Sequence, residues 1–364
     1  MARQLTIADR VISDDSAPYV IAEIGHNHQG DLQTAKDIFR AAAENGASAV
    51  KLQKRDNRAL FTREMFDKPY DNENSFGATY GEHREALEFD KSEYQELAAE
   101  AARLNVTFFA TAFDIPSADF LAELQMPAYK ISSGDLKNTP LLTRVASIGK
   151  PMVISTGGAT MEDVQRAYDV ILPINTQLCI LQCTSGYPAV NAELDLRVIA
   201  TFREHFPDAV IGYSGHDNGI AMPLAAYMLG ARVIEKHFTL SRSMKGTDHS
   251  FSLEPVGMKK MVRDLERVQL ALGDGRKKVY ASEASPMLKM GKKLVVTRDL
   301  PAGHVLAAAD VTAKSPGDGL PPYRLDEILG KALTRELHAD DAVTTDLLSE
   351  ATPTSAGPAN RGAA

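Results

Sequence analysis

Eight short apolar runs, "YVIAEIG", "SAVKLQK", "VTFFATAF", "AYKISSG", "PMVISTG", "QLCILQCT", "AVIGYSGH" and "RVIEKHFT", recur along the chain with amphipathic segments between them. Each run has the length of a strand. The intervening segments, such as "LQTAKDIFRAAAENG" and "YQELAAEAARLN", carry a helical period and end in Gly or Asn, as helix C-termini do. Near-continuously apolar strands are buried on both faces, which is the habit of parallel strands covered by helices. Eight β-α units over about 275 residues match a (β/α)8 TIM barrel in order and size. A doubly wound open sheet is the competing arrangement.

The chain has 364 residues, which leaves room for a second, smaller domain. The sequence places the barrel at residues 1–275, a polar linker at 276–290 and a compact module at 291–350. That module is expected to hold short strands, an "AGH" turn, a Pro/Gly-rich loop and one short helix. Residues 351–364, "ATPTSAGPANRGAA", are small and poor in apolar side chains, so a disordered tail is expected. The stretch from Arg55 to Phe89 is rich in Asn, Tyr, Glu and Asp and too long for a plain βα loop. Loops of that length serve as lids or binding loops.

Charge and composition remove several function classes. With 40 Lys+Arg against 48 Asp+Glu the net charge is -8, which offers no electrostatic footprint for nucleic acid or an anionic membrane. A local lysine cluster can still oppose that global sign and bind a small anion. "MARQLTIADR" lacks the apolar core of a signal peptide, and no run of about 18 apolar residues could span a bilayer. A cytoplasmic protein is expected. Cys179 and Cys183 lie on one extended run, too far apart to bridge, and read as reduced core residues.

In a barrel the chemistry sits at the C-terminal ends of the strands, and here those ends are polar. They carry Glu23, then Lys51 and Gln53, Thr111 and Asp114, and Lys130 and Ser132 with Ser133 and Asp135. Ser155 and Thr156, then Thr184, Ser185 and Tyr187, Ser214 and His216, and Glu235 and His237 follow. The pairs Lys51/Gln53, Lys130/Ser132, Ser214/His216 and Glu235/His237 are each spaced by two, so each pair faces one way. Burying such groups without partners costs several kcal/mol, about 2 to 7 even for a neutral polar group, so they are expected to share a site. Lysines with serines suit a compact phosphorylated acid. His216 and His237, on neighbouring strands, suit a divalent ion such as Mn, Fe or Zn, with Glu235 and Asp248 completing or orienting it. Of His26 and His28, one is expected only to bond at the start of the following helix.

At these strand ends the sequence resembles the N-acetylneuraminate (sialic acid) synthase family. The matching motifs are "IAEIGHNHQGDLQTAKDIFRAAAENGASAVKLQ", "AYKISSGDLKNTPLL", "KPMVISTGGA", "LQCTSGYPA", "IGYSGHD" and "IEKHFT". The segment from Lys292 to Ser349 resembles the antifreeze-like SAF domain that follows the barrel in that family. The resemblance implies condensation of phosphoenolpyruvate with the aldehyde of an N-acetylated amino sugar, giving a nonulosonic acid and phosphate. It implies a divalent metal on His216 and His237, usually Mn2+, with Mg2+ or Co2+ as alternatives. It implies that Lys51, Lys130, Ser132, Ser155, Ser185 and Ser214 hold phosphoenolpyruvate, while Glu23, Gln53, Tyr187 and Asp248 face the sugar. A domain-swapped homodimer is implied as well. The family usually carries Arg before Pro-Gly in the SAF domain, where it reaches a neighbouring subunit's sugar pocket; here "AKSPGDG" puts Ser315 there. A serine cannot make the charged, bidentate contact of a guanidinium, which leaves legionaminic or pseudaminic acid synthase, acting on diacetamido sugars, as the alternative.

Two rival classes use the same barrel. A metal-dependent sugar hydrolase or isomerase also places His and carboxylates at strand ends, but does not need a lysine–serine anion site. A scaffold whose C-terminal module binds ice or glycan leaves the polar strand ends unexplained.

Overall fold

The computed structural model describes residues 3–351, so the expected disordered tail lies outside the described residues apart from Ala351. The chain divides into two compact units, the first ending at Gly273 and the second beginning at Asp274. No helix among the described residues is long and apolar enough to cross a membrane.

The first unit opens with an antiparallel hairpin of β1 (Gln4–Ile7) and β2 (Arg10–Ser13), which the sequence reading did not anticipate. Its signal was an alternation: Leu5, Ile7 and Ile12 are fully buried in the main core. Arg10 reaches Ser48 Oγ at 2.8 Å, at the end of the barrel where the strands start.

The eight anticipated strands form one closed, all-parallel barrel. They are β3 (Tyr19–Gly25), β4 (Ala49–Lys54), β5 (Thr107–Ala112), β6 (Tyr129–Ile131), β7 (Met152–Ser155), β8 (Leu178–Cys183), β9 (Val210–Gly215) and β10 (Val233–His237). Closure occurs between β10 and β3, where His237 stands beside Glu23. Glu23 in turn stands beside Lys51. Around the barrel lie α1 (Leu32–Glu44) and further helices between successive strands. On α1, Ala35, Ile38, Phe39 and Ala42 are buried at the i, i+3, i+4, i+7 spacing of a helix stripe facing a core. Its first turn is fixed by Asp31, whose carboxylate accepts the Thr34 amide at 2.6 Å. Asp114, read as a polar strand end, does the same for the helix Ile115–Glu123, accepting from the Ser117 amide at 2.7 Å.

The long segment after β4 is structured. It holds α2 (Asn57–Leu60), α3 (Arg63–Phe66) and α4 (Tyr80–Glu85), with Tyr70, Tyr80 and His83 packed as an aromatic cluster. Asn74 Oδ1 accepts the Gly246 amide at 2.9 Å, tying this segment to the loop that follows β10. That tie holds α4 over the carboxyl ends of the strands.

In the second unit, the stretch read as a linker carries a short helix, Ala284–Met290. The Leu288 carbonyl at its end accepts the Gly317 amide at 2.8 Å, so this helix belongs with the module that follows it. The module pairs Lys293–Val296 with Val311–Lys314 and Ala332–Leu333 with Leu348–Ser349 around a separate apolar core that includes Leu294, Val296, Leu306 and Ile328. The anticipated short helix there is a 3-10 helix, Pro322–Glu327.

Candidate functional site

At the carboxyl ends of the strands the barrel opens into a cavity of about 500 Å³. Glu23, Lys51, Gln53, Thr111, Lys130, Ser132, Ser155, Ser185, Tyr187, Ser214, His216, Glu235, His237 and Asp248 all line it. Strand alternation accounts for this convergence. On β10, Glu235 and His237 point inward, while Lys236 between them turns outward and pairs with Asp217 at 3.2 Å. A larger cavity of about 730 Å³ lies at the opposite end, by Tyr19, Ser48 and Thr107, and gathers no such set of ionisable groups.

The floor is a buried ionic network. Lys51, only 1% exposed, pairs with the Glu23 carboxylate and donates to Thr111 Oγ1 at 2.8 Å. Its ammonium is also 3.8 Å from Glu235 Oε1, and Lys130, 4% exposed, is 3.5 Å from that same oxygen. Ser214 Oγ donates to it at 3.3 Å. Burial by itself would raise the Glu235 carboxyl, but Lys130 and then Lys51 hold it at about 2, so it stays ionised. For Glu23 burial wins over Lys51 and raises the carboxyl, making it the more readily protonated of the two. Burial pulls the Lys130 ammonium down against the attraction of Glu235. Beside this network Ser155 Oγ is buried with no hydrogen-bond partner. A buried hydroxyl left unpaired next to two ammonium groups is a position for an anion's oxygen.

The rings of His216 and His237 lie 5.4 Å apart on the same side of the cavity. His216 Nδ1 donates to the Thr184 carbonyl at 2.8 Å, which leaves the lone pair of Nε2 free. His237 Nδ1 is buried without a hydrogen-bond partner, with Asp248 Oδ2 at 3.7 Å. Burial pushes the His237 imidazole down to about 4, so at neutral pH it is an uncharged donor. Two inward imidazoles, one with an orphaned ring nitrogen, fit a divalent ion. Among the described residues no group of three or more His, Cys, Asp or Glu converges as a cation site, so water or substrate oxygens would have to complete the coordination.

Toward the mouth, Gln53 links the floor to two arginines that the sequence reading passed over. Gln53 Nε2 donates to Glu23 Oε1 at 2.7 Å, and Gln53 Oε1 accepts from Arg55 Nη2 at 2.7 Å. The Arg55 guanidinium lies over the Phe113 ring at 3.7 Å, and its Nη1 is 2.9 Å from His26 Nε2. On the other side of that ring, Arg84 of α4 approaches His26 Nδ1 at 3.1 Å. Gly25 makes the convergence possible: with φ at 56°, any Cβ there would meet Asp248, Gln53 and Glu23 oxygens or nitrogens at 3.1 to 3.3 Å. His28 is the structural histidine of the pair, stacked on Phe89 and accepting the Gly30 amide at 3.1 Å.

Asp135 does not line the cavity; it accepts from Ser132 Oγ at 2.7 Å and so orients that hydroxyl from behind. Cys183 is buried and free, as expected of both cysteines, but it lines the cavity instead of filling the core, accepting from Ser133 Oγ at 3.6 Å. Its place as the last residue of β8 was the available signal.

An eight-stranded parallel barrel whose ionisable side chains meet at the strand C-termini is an enzyme architecture. The chain belongs to the NeuB family, whose model matches residues 38–277, and a SAF domain matches residues 293–349. It is 40% identical over 331 residues to the N-acetylneuraminate-9-phosphate synthase of Homo sapiens, covering 91% of this chain and 92% of that one. It is 35% identical over 328 residues to the N,N'-diacetyllegionaminic acid synthase of Campylobacter jejuni, covering 89% and 98%. Its fold is similar to the N-acetylneuraminic acid (sialic acid) synthetase of Leptospira borgpetersenii, crystallised in complex with citrate, with a TM-score of 0.69 and 31% identity over 79% of this chain and 95% of that one. The chain is a condensing enzyme of this synthase type.

Proposed function

We propose that the chain condenses phosphoenolpyruvate with the open-chain aldehyde of an N-acetylated amino sugar, N-acetylmannosamine or a relative, giving a nonulosonic (sialic) acid and inorganic phosphate. The observation that carries this reading is the pair of buried lysines and the unpartnered Ser155 hydroxyl, set in one cavity with two inward imidazoles. Lys51 and Lys130 bind the carboxylate and phosphate of phosphoenolpyruvate, with hydroxyls of Ser132, Ser155, Ser185 and Ser214 around them. C3 of the enol then bonds to the aldehyde carbon, the aldehyde oxygen takes a proton, water adds at C2, and the C2–O bond to phosphate breaks. Glu23, raised by burial and held by Lys51 and Gln53, is the group that moves a proton, at the aldehyde oxygen or at the water. A divalent ion, Mn2+ by resemblance, would be held by His216 and His237 and would polarise the aldehyde as a Lewis acid. Holding both reactants in one cavity supplies much of the acceleration, up to about 7 to 11 kcal/mol in ideal cases.

The reading includes a cytoplasmic homodimer. Its test is phosphate release from phosphoenolpyruvate against a panel of amino sugars, with and without EDTA. Release that requires both sugar and metal supports it; release without sugar, or none with any sugar, refutes it.

A second reading, a diacetamido acceptor, is favoured by Ser315. Its Oγ accepts from Lys292 at 2.6 Å, while nearby cations are engaged: Lys314 pairs with Asp340, and Arg324 donates to Glu327 at 2.9 Å. If Ser315 sets sugar choice, Ser315→Arg shifts the kcat/KM ratio of N-acetylmannosamine to a diacetamido-trideoxyhexose by about one to two decades. An unchanged ratio with a collapse in Lys314→Ala would move recognition to Lys314.

A further inference from the structure

We propose that Lys236 and Asp217 are positioning residues for the two inward imidazoles: paired behind the barrel wall, they fix the separation of His216 and His237 and so the affinity of the site for a divalent ion. This rests on the reading of those histidines as ligands to a divalent ion, and it adds two residues that do not line the cavity.

The first support is where the strand pairing stops. β9 and β10 run in register as far as Gly215 beside Lys236. His216 and His237 are the next residues on each chain, so the ladder that aligns the strands ends one residue short of both imidazoles. Past that point the two chains follow different neighbours. His216 Nδ1 donates to the Thr184 carbonyl at 2.8 Å, and the His216 carbonyl accepts the Ala189 amide at 3.1 Å, both in the loop after β8. On the other chain the Phe238 amide donates to the Glu23 carbonyl of β3, and the Leu253 amide to the His237 carbonyl, each at 2.7 Å.

The second support is that one ion pair bridges this gap. Lys236 Nζ donates to the Asp217 carbonyl and to its carboxylate Oδ1, the latter at 3.2 Å. Tyr213 Oη donates to the same Oδ1 at 2.7 Å. One ammonium therefore joins the residue before His237 to the residue after His216. Gly215 leaves room for it: a Cβ there would meet the Tyr213 ring at 2.5 Å and Asp217 Oδ1 at 2.6 Å, so any side chain would push the carboxylate away from the lysine.

The third support is that stability does not call for such a pair. Lys236 is 1% exposed and Asp217 is fully buried, and apolar residues of similar volume commonly hold a buried position as well as two desolvated charges do. Asp217 Oδ2 is in addition buried without a hydrogen-bond partner, a cost that packing alone would avoid. Fixing register is the best-attested use of a buried polar pair, and the register it fixes here is that of two rings 5.4 Å apart.

The test uses the full-length protein stripped of metal and titrated with Mn2+, the free ion being followed by electron paramagnetic resonance. In Lys236→Met the affinity for Mn2+ is expected to fall about 10- to 100-fold, the usual effect of removing a residue that orients a ligand, while calorimetric affinity for phosphoenolpyruvate in EDTA is retained. Lys236→Met/Asp217→Asn leaves no orphaned carboxylate, so its urea midpoint should recover most of the loss of the single variant while Mn2+ affinity stays as weak. If Lys236→Met does not fold, the double variant carries the test. Mn2+ affinity that recovers together with stability, an equal loss of phosphoenolpyruvate affinity, or a double variant that does not fold would assign the pair to the fold alone and overturn the proposal, leaving the metal reading standing. A wild type that binds no Mn2+ overturns the metal reading and this proposal with it.

Discussion

Replacing Lys51 or Lys130 by Met should separate two consequences of the same charge. Both lysines face the space assigned to phosphoenolpyruvate, and a charge-assisted hydrogen bond contributes about 1.5 to 3 kcal/mol, so either change should weaken phosphoenolpyruvate binding about 10- to 150-fold. Their costs to the fold differ. Lys51 is the hub, pairing with Glu23, donating to Thr111 and lying 3.8 Å from Glu235; removing it leaves the Glu23 carboxylate, 2% exposed, without its ion-pair partner. Breaking a buried pair from one side costs about 3 to 5 kcal/mol. Lys130 lies 3.5 Å from Glu235, which keeps Lys51 and the Ser214 hydroxyl when Lys130 is gone, so about 1 to 2 kcal/mol is expected. Calorimetric titration with phosphoenolpyruvate and urea unfolding measure the two effects. Wild-type affinity in both variants would show that the anion site has been misplaced. Equal stability losses would show that Lys51 is not the hub.

His237→Ala should abolish turnover and remove the bound-ion signal of Mn2+ in electron paramagnetic resonance while leaving the circular dichroism of the barrel intact; full activity of the wild type in excess EDTA would rule out the metal. Gly25→Ala forces a side chain into positive φ, costing about 1 to 2 kcal/mol, and pushes on Glu23, Gln53 and Asp248, so kcat should fall on the order of 10- to 100-fold. His28 is buried and its imidazole is held at about 3, against an ordinary value near 6.5. The folded state therefore resists the proton that the unfolded chain takes up. The stability it contributes is complete above about pH 6.5 and is lost by about 1.4 kcal/mol per pH unit as pH falls toward 3. His28→Asn should remove about one proton from that slope in urea unfolding at pH 6.5, 5.5 and 4.5; an unchanged slope contradicts the assignment.

The sequence exposed the floor of the site because strand alternation is rigid: two-residue spacing brought Lys51 with Gln53 and Glu235 with His237 onto the inner face, and closure of the barrel set His237 beside Glu23. The mouth was hidden because it depends on tertiary placement. Arg55 stands one residue past β4 in a run of charges that reads as solvated surface, and Arg84 arrives on α4, whose position over the strand ends follows from contacts across the chain such as Asn74 with Gly246. His26 and His28 carry the same spacing signal yet differ in role, because Gly25 at positive φ and the bulge in β3 break the alternation between them. The hairpin β1–β2 was legible in Leu5, Ile7 and Ile12 but lay outside the repeating β-α pattern.

The proposed reaction makes a carbon–carbon bond from phosphoenolpyruvate at this cavity. It is tested most directly by giving the enzyme phosphoenolpyruvate labelled with carbon-13 at every carbon, together with an N-acetylated amino sugar, free or phosphorylated, and Mn2+, and weighing the product by mass spectrometry. The expected product is a nonulosonate containing all the labelled carbons, with one inorganic phosphate released from the enol per product, and both fall at least about 10-fold in Lys51→Met at subsaturating phosphoenolpyruvate. Labelled pyruvate with unchanged sugar, or labelled product in undiminished yield from Lys51→Met, would contradict it.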